Sequence, residues 1–153
     1  MTLLAAIRPD DWNLPLFLHL VGGMTLVGVL LLVAVSLAGA GRGGSEGTVR
    51  LGFRALLFAA LPAWILMRVT AEWLASEENL DEDTPGWVDV GYMTSESSLL
   101  LLIAATVCAG IAARRAARGG PRGAGLNTTV VVLVAIALIA YVVAIWAMST
   151  KPS

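Results

Sequence analysis

One cysteine, one histidine and a charged fraction of 14% over 153 residues leave this sequence few reactive side chains. A single thiol, Cys108, forms no internal disulfide and supplies no thiolate cluster for a metal. Its neighbours Thr106, Val107, Ala109 and Gly110 set it in an apolar helix, where a thiol is a small hydrophobe of low reactivity. There is no Gly-x-Ser-x-Gly, no P-loop, no Cys-x-x-Cys and no His-Glu-x-x-His, so no familiar catalytic motif is written in the chain. A net charge of −1 lacks the basic excess of a nucleic-acid binder.

What the sequence has is apolar length. Hydrophobic residues make up 58% of it, against about 45–50% in soluble domains, which also carry about 25% charge. Several stretches lack the polar stripe that a helix in water needs, so the solvent around them has to be lipid. A helix crosses a hydrocarbon layer about 30 Å thick with about 20 apolar residues. Four segments reach that length or approach it: 14–38, 51–74, 98–113 and 128–148. The expectation is an all-α integral membrane four-helix bundle forming one domain over 1–153, with an acidic outer loop at 75–97. The first segment ends in Ala38-Gly39-Ala40, which resembles a signal-peptide cleavage site. Its apolar run is too long for a signal peptide, and Asp10-Asp11 stand where basic residues belong; it reads as a retained helix.

Charge separates sharply along the chain. Arg42, Arg50 and Arg54 border the first connection, against Glu46 alone, and Arg114, Arg115, Arg118 and Arg122 occupy the third with no acid. The second connection carries Glu77, Glu78, Asp81, Glu82, Asp83, Asp89 and Glu96. Seven of the ten basic residues therefore fall on one side, and the positive-inside rule predicts that side to be cytoplasmic. Loops 39–50 and 114–127 are then cytoplasmic, and loop 75–97 and both termini extracytoplasmic, in a cell (inner) membrane. Trp12, Trp73, Trp87, Tyr92 and Trp146 cluster near the expected outer boundary, where amphipathic rings favour the headgroup layer. Both basic loops are glycine-rich and read as flexible turns. The acidic run 77–83 lacks the spacing and the glycine of a calcium-binding loop and reads as a solvated segment; Pro85-Gly86-Trp87 after it reads as a turn.

Ala105, Ala109 and Ala113 recur every fourth residue on the third helix, as do Ala140 and Ala144 on the fourth. Small residues at that spacing let helices approach closely in lipid, which points to self-association or docking with other membrane subunits. Pro62, mid-way along the second helix, removes an N–H that would reach Phe58 and should bend the helix there.

Three ionisable residues are expected at one level in the outer leaflet. His19 lies five residues past Leu14, roughly 7–8 Å below the boundary at the standard helical rise. Arg68 lies six residues before Leu74, and Glu72 follows Arg68 by one turn, so the two share a face and can pair. Ionisable groups inside a membrane helix cost about 2.5–3.5 kcal/mol at its centre and face the bundle interior by default, although Arg68 can also extend its head to the interface. His19 has four readings: a polar residue hydrogen-bonded to a neighbouring helix, an axial ligand of haem b, a copper ligand, or a proton relay beside Glu72. Met93 and Met148, near the same boundary, are the candidate second ligands, as is His19 of a second copy; Met24 sits too close on the same helix to close the opposite face of one porphyrin.

The stretch Leu18-His19-Leu20-Val21-Gly22-Gly23, followed by Gly28, resembles the first helix of several small bacterial membrane families. These are an uncharacterised four-helix group, the copper-resistance protein D type and the HemJ-type protoporphyrinogen oxidase. The HemJ-type resemblance implies haem ligation by His19. The chain holds no second histidine and none of the other histidine and lysine motifs of that type; the four-helix group fits best in size and topology, and implies no activity. An Ala- and Arg-rich composition with one lysine fits a high-GC bacterium.

The expected protein is thus non-catalytic, bound to the lipid bilayer and associated with itself or with other membrane subunits, with no nucleic-acid partner. A haem or copper protein using His19 is the first alternative. A small transporter or channel component with His19, Arg68 and Glu72 lining an outer polar site is the second.

Overall fold

A computed structural model of the chain describes residues 10–40, 46–77, 86–119 and 124–150. They form five α-helices: α1 (Asp10–Ala40), α2 (Glu46–Ala55), α3 (Leu61–Glu77), α4 (Gly86–Ala117) and α5 (Ala124–Ser149). A single π-helical turn, Leu56–Ala60, joins α2 to α3 without a break, so the five helices make four rods. Each rod is long and apolar enough to cross a bilayer. No strand occurs among the described residues.

The π-turn stands where the sequence led us to expect a bend. Pro62 cannot donate to the carbonyl one turn back, and its ring crowds that turn. The chain widens just upstream instead: the Leu61 N–H reaches the Leu56 carbonyl, five residues back rather than four.

The largest departure from the sequence reading is in the third rod. It begins at Gly86, not near residue 98, so more than half of the expected 75–97 loop is helix. Hydropathy marks lipid contact rather than helicity, and this first part is an amphipathic extension. Val88, Ser95 and Ser98 face inward, while Asp89, Met93, Glu96 and Ser97 face out. Asp89 and Glu96 therefore sit on α4, and Pro85-Gly86-Trp87 leads into a helix start instead of a free turn. The acids Glu78, Asp81, Glu82 and Asp83, like Arg42 and Arg122, lie outside the described residues. The other rods also outrun the apolar segments, reaching Asp10–Ala40, Glu46–Glu77 and Ala124–Ser149. At its far end α4 stops at Gly119, whose φ of 66° is a conformation that only glycine takes without strain.

Neighbouring rods are antiparallel. α1 packs on α3 and α5, α4 packs on α5 and α2, and α1 and α4 lie on a diagonal. The core runs along the bundle axis through Leu26, Leu30, Val33, Leu56, Leu102 and Val134, all at most 1% exposed. The alanine stripes belong to this interior: Ala105, Ala109 and Ala113 are buried on α4, and Ala144 is buried on α5. They bring the rods of one chain together and are not free for a second copy. Large side chains such as Leu31, Val35, Phe58, Leu100 and Ile139 cover the outside, an all-round apolar coat that only a lipid environment solvates cheaply.

Candidate functional site

His19, Arg68 and Glu72 meet the acidic end of the bundle at one level, but on two different seams. Gly22 creates the first. A side-chain carbon at Gly22 would lie 2.9 Å from the Met67 nitrogen and 3.1 Å from its Cα, so glycine alone lets the α1 and α3 backbones come this close. One turn away, His19 Nδ1 then reaches the Met67 carbonyl at 2.9 Å. A carbonyl only accepts, so Nδ1 carries the proton and Nε2 is left with its lone pair. Thr70 reinforces the same turn: its hydroxyl donates to the Leu66 carbonyl at 2.7 Å and lies 3.1 Å from that of Met67.

The second seam joins α3 to α4. Their backbones approach less closely than those of the other neighbouring rods, and long side chains bridge the gap. On α3, Trp64, Arg68 and Glu72 recur at four-residue intervals and form one column. The Trp64 indole N–H donates to the Ser95 carbonyl at 3.1 Å. Arg68 pairs with Glu72 and lies over the Tyr92 ring, 4.5 Å from its centroid. The Tyr92 hydroxyl completes the loop by donating to the second Glu72 oxygen at 3.2 Å. Arg68 is 22% exposed and Glu72 52%, so the charge opens at the bundle surface, not in an interior chamber.

Deeper in the bundle, α4 meets α5. Ser98 donates to the Ser95 carbonyl at 2.8 Å, which leaves the Tyr141 hydroxyl to donate to Ser98. The Ser95 hydroxyl itself is buried and has no partner among the described residues.

The structure thus brings Arg68 and Glu72 together and adds Tyr92 to them. His19 is their neighbour in level but shares no hydrogen bond or ion pair with them. Met93 is 74% exposed on the outside of α4. Met148 lays its methyl group against Gly91 of α4. Neither approaches a ligand position opposite His19 through a contact in the structure. Cys108 is half-buried against the core. No group of three or more His, Cys, Asp or Glu that could hold a metal occurs among the described residues.

Trp64, Ser95, Ser98 and Tyr141 escaped the sequence reading, and Tyr92 was read only as a boundary aromatic. The Trp64-Arg68-Glu72 spacing was a usable signal for the α3 column; its partners depend on the α3–α4 register.

Fold and site together define a four-rod helical bundle of membrane-crossing lengths, fastened by polar contacts at its acidic end. No family model, no curated protein and no solved structure matches the chain.

Proposed function

We propose that the protein is a small multi-pass membrane protein without catalytic activity, which associates with itself or serves as an accessory subunit of a membrane complex. One observation carries this reading. The ionisable residues expected to form a site act as fasteners: His19 ties α1 to α3, and the Arg68–Glu72 pair ties α3 to α4 through Tyr92. Interhelical hydrogen bonds of this kind hold bundles together in lipid. A free face for association is offered by α1, where Thr25, Gly28 and Gly39 are exposed in line with Val21, Leu32 and Val35, and no atom of another element lies near Gly28.

In this reading the bundle sits in a bacterial cell membrane with the acidic end and both termini outside. The charge separation supports that orientation. Single-cysteine labelling in a Cys108→Ala background tests it. Position 82 should react with an impermeant maleimide from outside and position 118 should not; the reverse pattern refutes the orientation. Mass measurement in nanodiscs tests the function. A dimer or a complex with co-purified subunits is expected, with Gly28→Leu reducing it. A monomer with no partner in native membranes refutes the reading.

A second reading rests on the His19 tautomer. A histidine that donates Nδ1–H to a backbone carbonyl presents Nε2 in the form that binds metals. Within one chain His19 is the only haem ligand whose setting fits, so a haem would bridge His19 of two copies and supply electron-transfer chemistry there. A Soret band lost in His19→Ala supports this reading, and colourless protein after expression with haem supplied removes it.

A further inference from the structure

We propose that the groove between α2 and α4 at the basic end binds the phosphate headgroup of an anionic phospholipid. Two seams of arginine border it. On α4, Gly110 packs against the Phe53 ring, at 3.1 Å from a built side-chain carbon to Cε2, and so faces α2. Arg114 and Arg118 follow Gly110 at four-residue steps along the same stripe. On α2, Arg54 directly follows Phe53, and Arg50 lies one turn back. All four arginines are exposed. Since Phe53 and Gly110 lie side by side, Arg54 is about 6 Å deeper than Arg114. An arginine at that depth extends its head toward the interface, where it converges on the level of Arg114.

Glu46 neutralises one of the four: it holds Arg50 at 2.6 Å. Arg54, Arg114 and Arg118 have no acidic partner among the described residues. The sequence has no other acid between Asp11 and Glu72 and none after Glu96, so the chain itself cannot balance them. Three guanidinium groups without a counter-charge call for phosphate, which they bind with paired N–H donors.

The occupant is a lipid because the basic stripe runs without interruption into an apolar one. Val107, Ile103 and Leu100 continue the Gly110 face into the span and are 56%, 46% and 70% exposed. A molecule with a phosphate at the arginines and a hydrocarbon chain along these residues fits both halves; free phosphate fits one.

The test uses the full chain in mild detergent with equimolar phosphatidylglycerol and phosphatidylcholine, and reads retained lipid by native mass spectrometry. Retention of phosphatidylglycerol at least about tenfold over phosphatidylcholine is expected. The triple variant Arg54→Gln/Arg114→Gln/Arg118→Gln should reduce that preference about a hundredfold, from the usual contribution of each basic residue near an anionic surface. The corresponding triple lysine variant should keep most of it, because the charge remains. Excess inorganic phosphate should leave the lipid in place. Equal retention of the two lipids, an unchanged preference in the glutamine triple, or displacement by phosphate overturns the proposal. If the triple does not fold, Arg114→Gln/Arg118→Gln on the exposed end of α4 takes its place, with a loss of about tenfold or more expected and no loss overturning the proposal.

Discussion

Replacing Gly22 by alanine reverses the sign of a common expectation. In an ordinary helix position the change stabilises by up to about 1 kcal/mol, because alanine has the higher helix propensity. Here the new methyl carbon would stand 2.9 Å from the Met67 nitrogen and 3.1 Å from its Cα and Cβ. Ordinary contact begins near 3.4 Å, so α1 and α3 must part by about half an ångström. A backbone cannot rotate out of the way, and overpacking of this kind costs about 1–3 kcal/mol. Parting the helices also stretches the His19–Met67 hydrogen bond from 2.9 Å toward its limit, and such interhelical bonds contribute about 0.6 kcal/mol on average in a bilayer protein. Net of the propensity gain, Gly22→Ala should destabilise by about 1–2 kcal/mol. Gly23→Ala is the control, since its added carbon meets only the flexible Met67 sulfur at 3.8 Å; it should be neutral or stabilising. Reversible unfolding in mixed micelles measures both, and the His19 ring-nitrogen resonances report the Nδ1–H tautomer. A Gly22→Ala protein as stable as the native one, with that tautomer intact, would refute the close-approach reasoning.

Other contacts make equally direct predictions. Ser95→Ala removes a buried hydroxyl without a partner and should leave unfolding free energy equal or higher, whereas Ser98→Ala breaks the link to Tyr141 and should lower it by about 1 kcal/mol; similar losses in both would show that Ser95 holds a partner. Tyr92→Phe keeps the ring under Arg68 and loses only the hydroxyl bond to Glu72. It should cost at most about 0.5 kcal/mol in a site this open to solvent, and Tyr92→Leu about 0.5–1 kcal/mol more. Equal effects of the two changes in the same unfolding assay would remove the ring–guanidinium contact from the account.

The number of rods and their apolar character were legible in the sequence, because a lipid-facing helix must be apolar on every side. The start of α4 was not. Asp89, Ser95, Glu96 and Ser97 lower the hydropathy of that stretch, yet Val88, Ser95 and Ser98 turn inward on it. The spacing of those residues, with no proline or glycine pair to break it, was the available sign. For the polar residues, depth was readable from the distance to each helix end, and the Arg68–Glu72 pair from its spacing. Rotation was not: whether His19 turns toward Met67 or toward Glu72 depends on how closely α1 and α3 approach, which Gly22 decides. The alanine stripes were visible as packing devices, but one sequence does not say whether the second surface belongs to the same chain.

The π-turn before Pro62 amounts to one extra residue wound into the second rod. Each α-helical residue turns the chain by about 100°, so that extra residue sets the phase of everything after it. The α2 half shows Phe53 to Gly110 of α4, while the α3 half shows Met67 to Gly22 of α1 and Arg68 to Tyr92 of α4. Deleting a single residue from Leu56–Ala60 would restore a regular α-helix without changing any contact residue. It would also swing the Met67 carbonyl, Arg68 and Glu72 about a quarter-turn off their partners. In this stretch length is constrained more tightly than identity: Leu57 or Phe58 can change to another apolar residue, but the number of residues between Phe53 and Met67 cannot change.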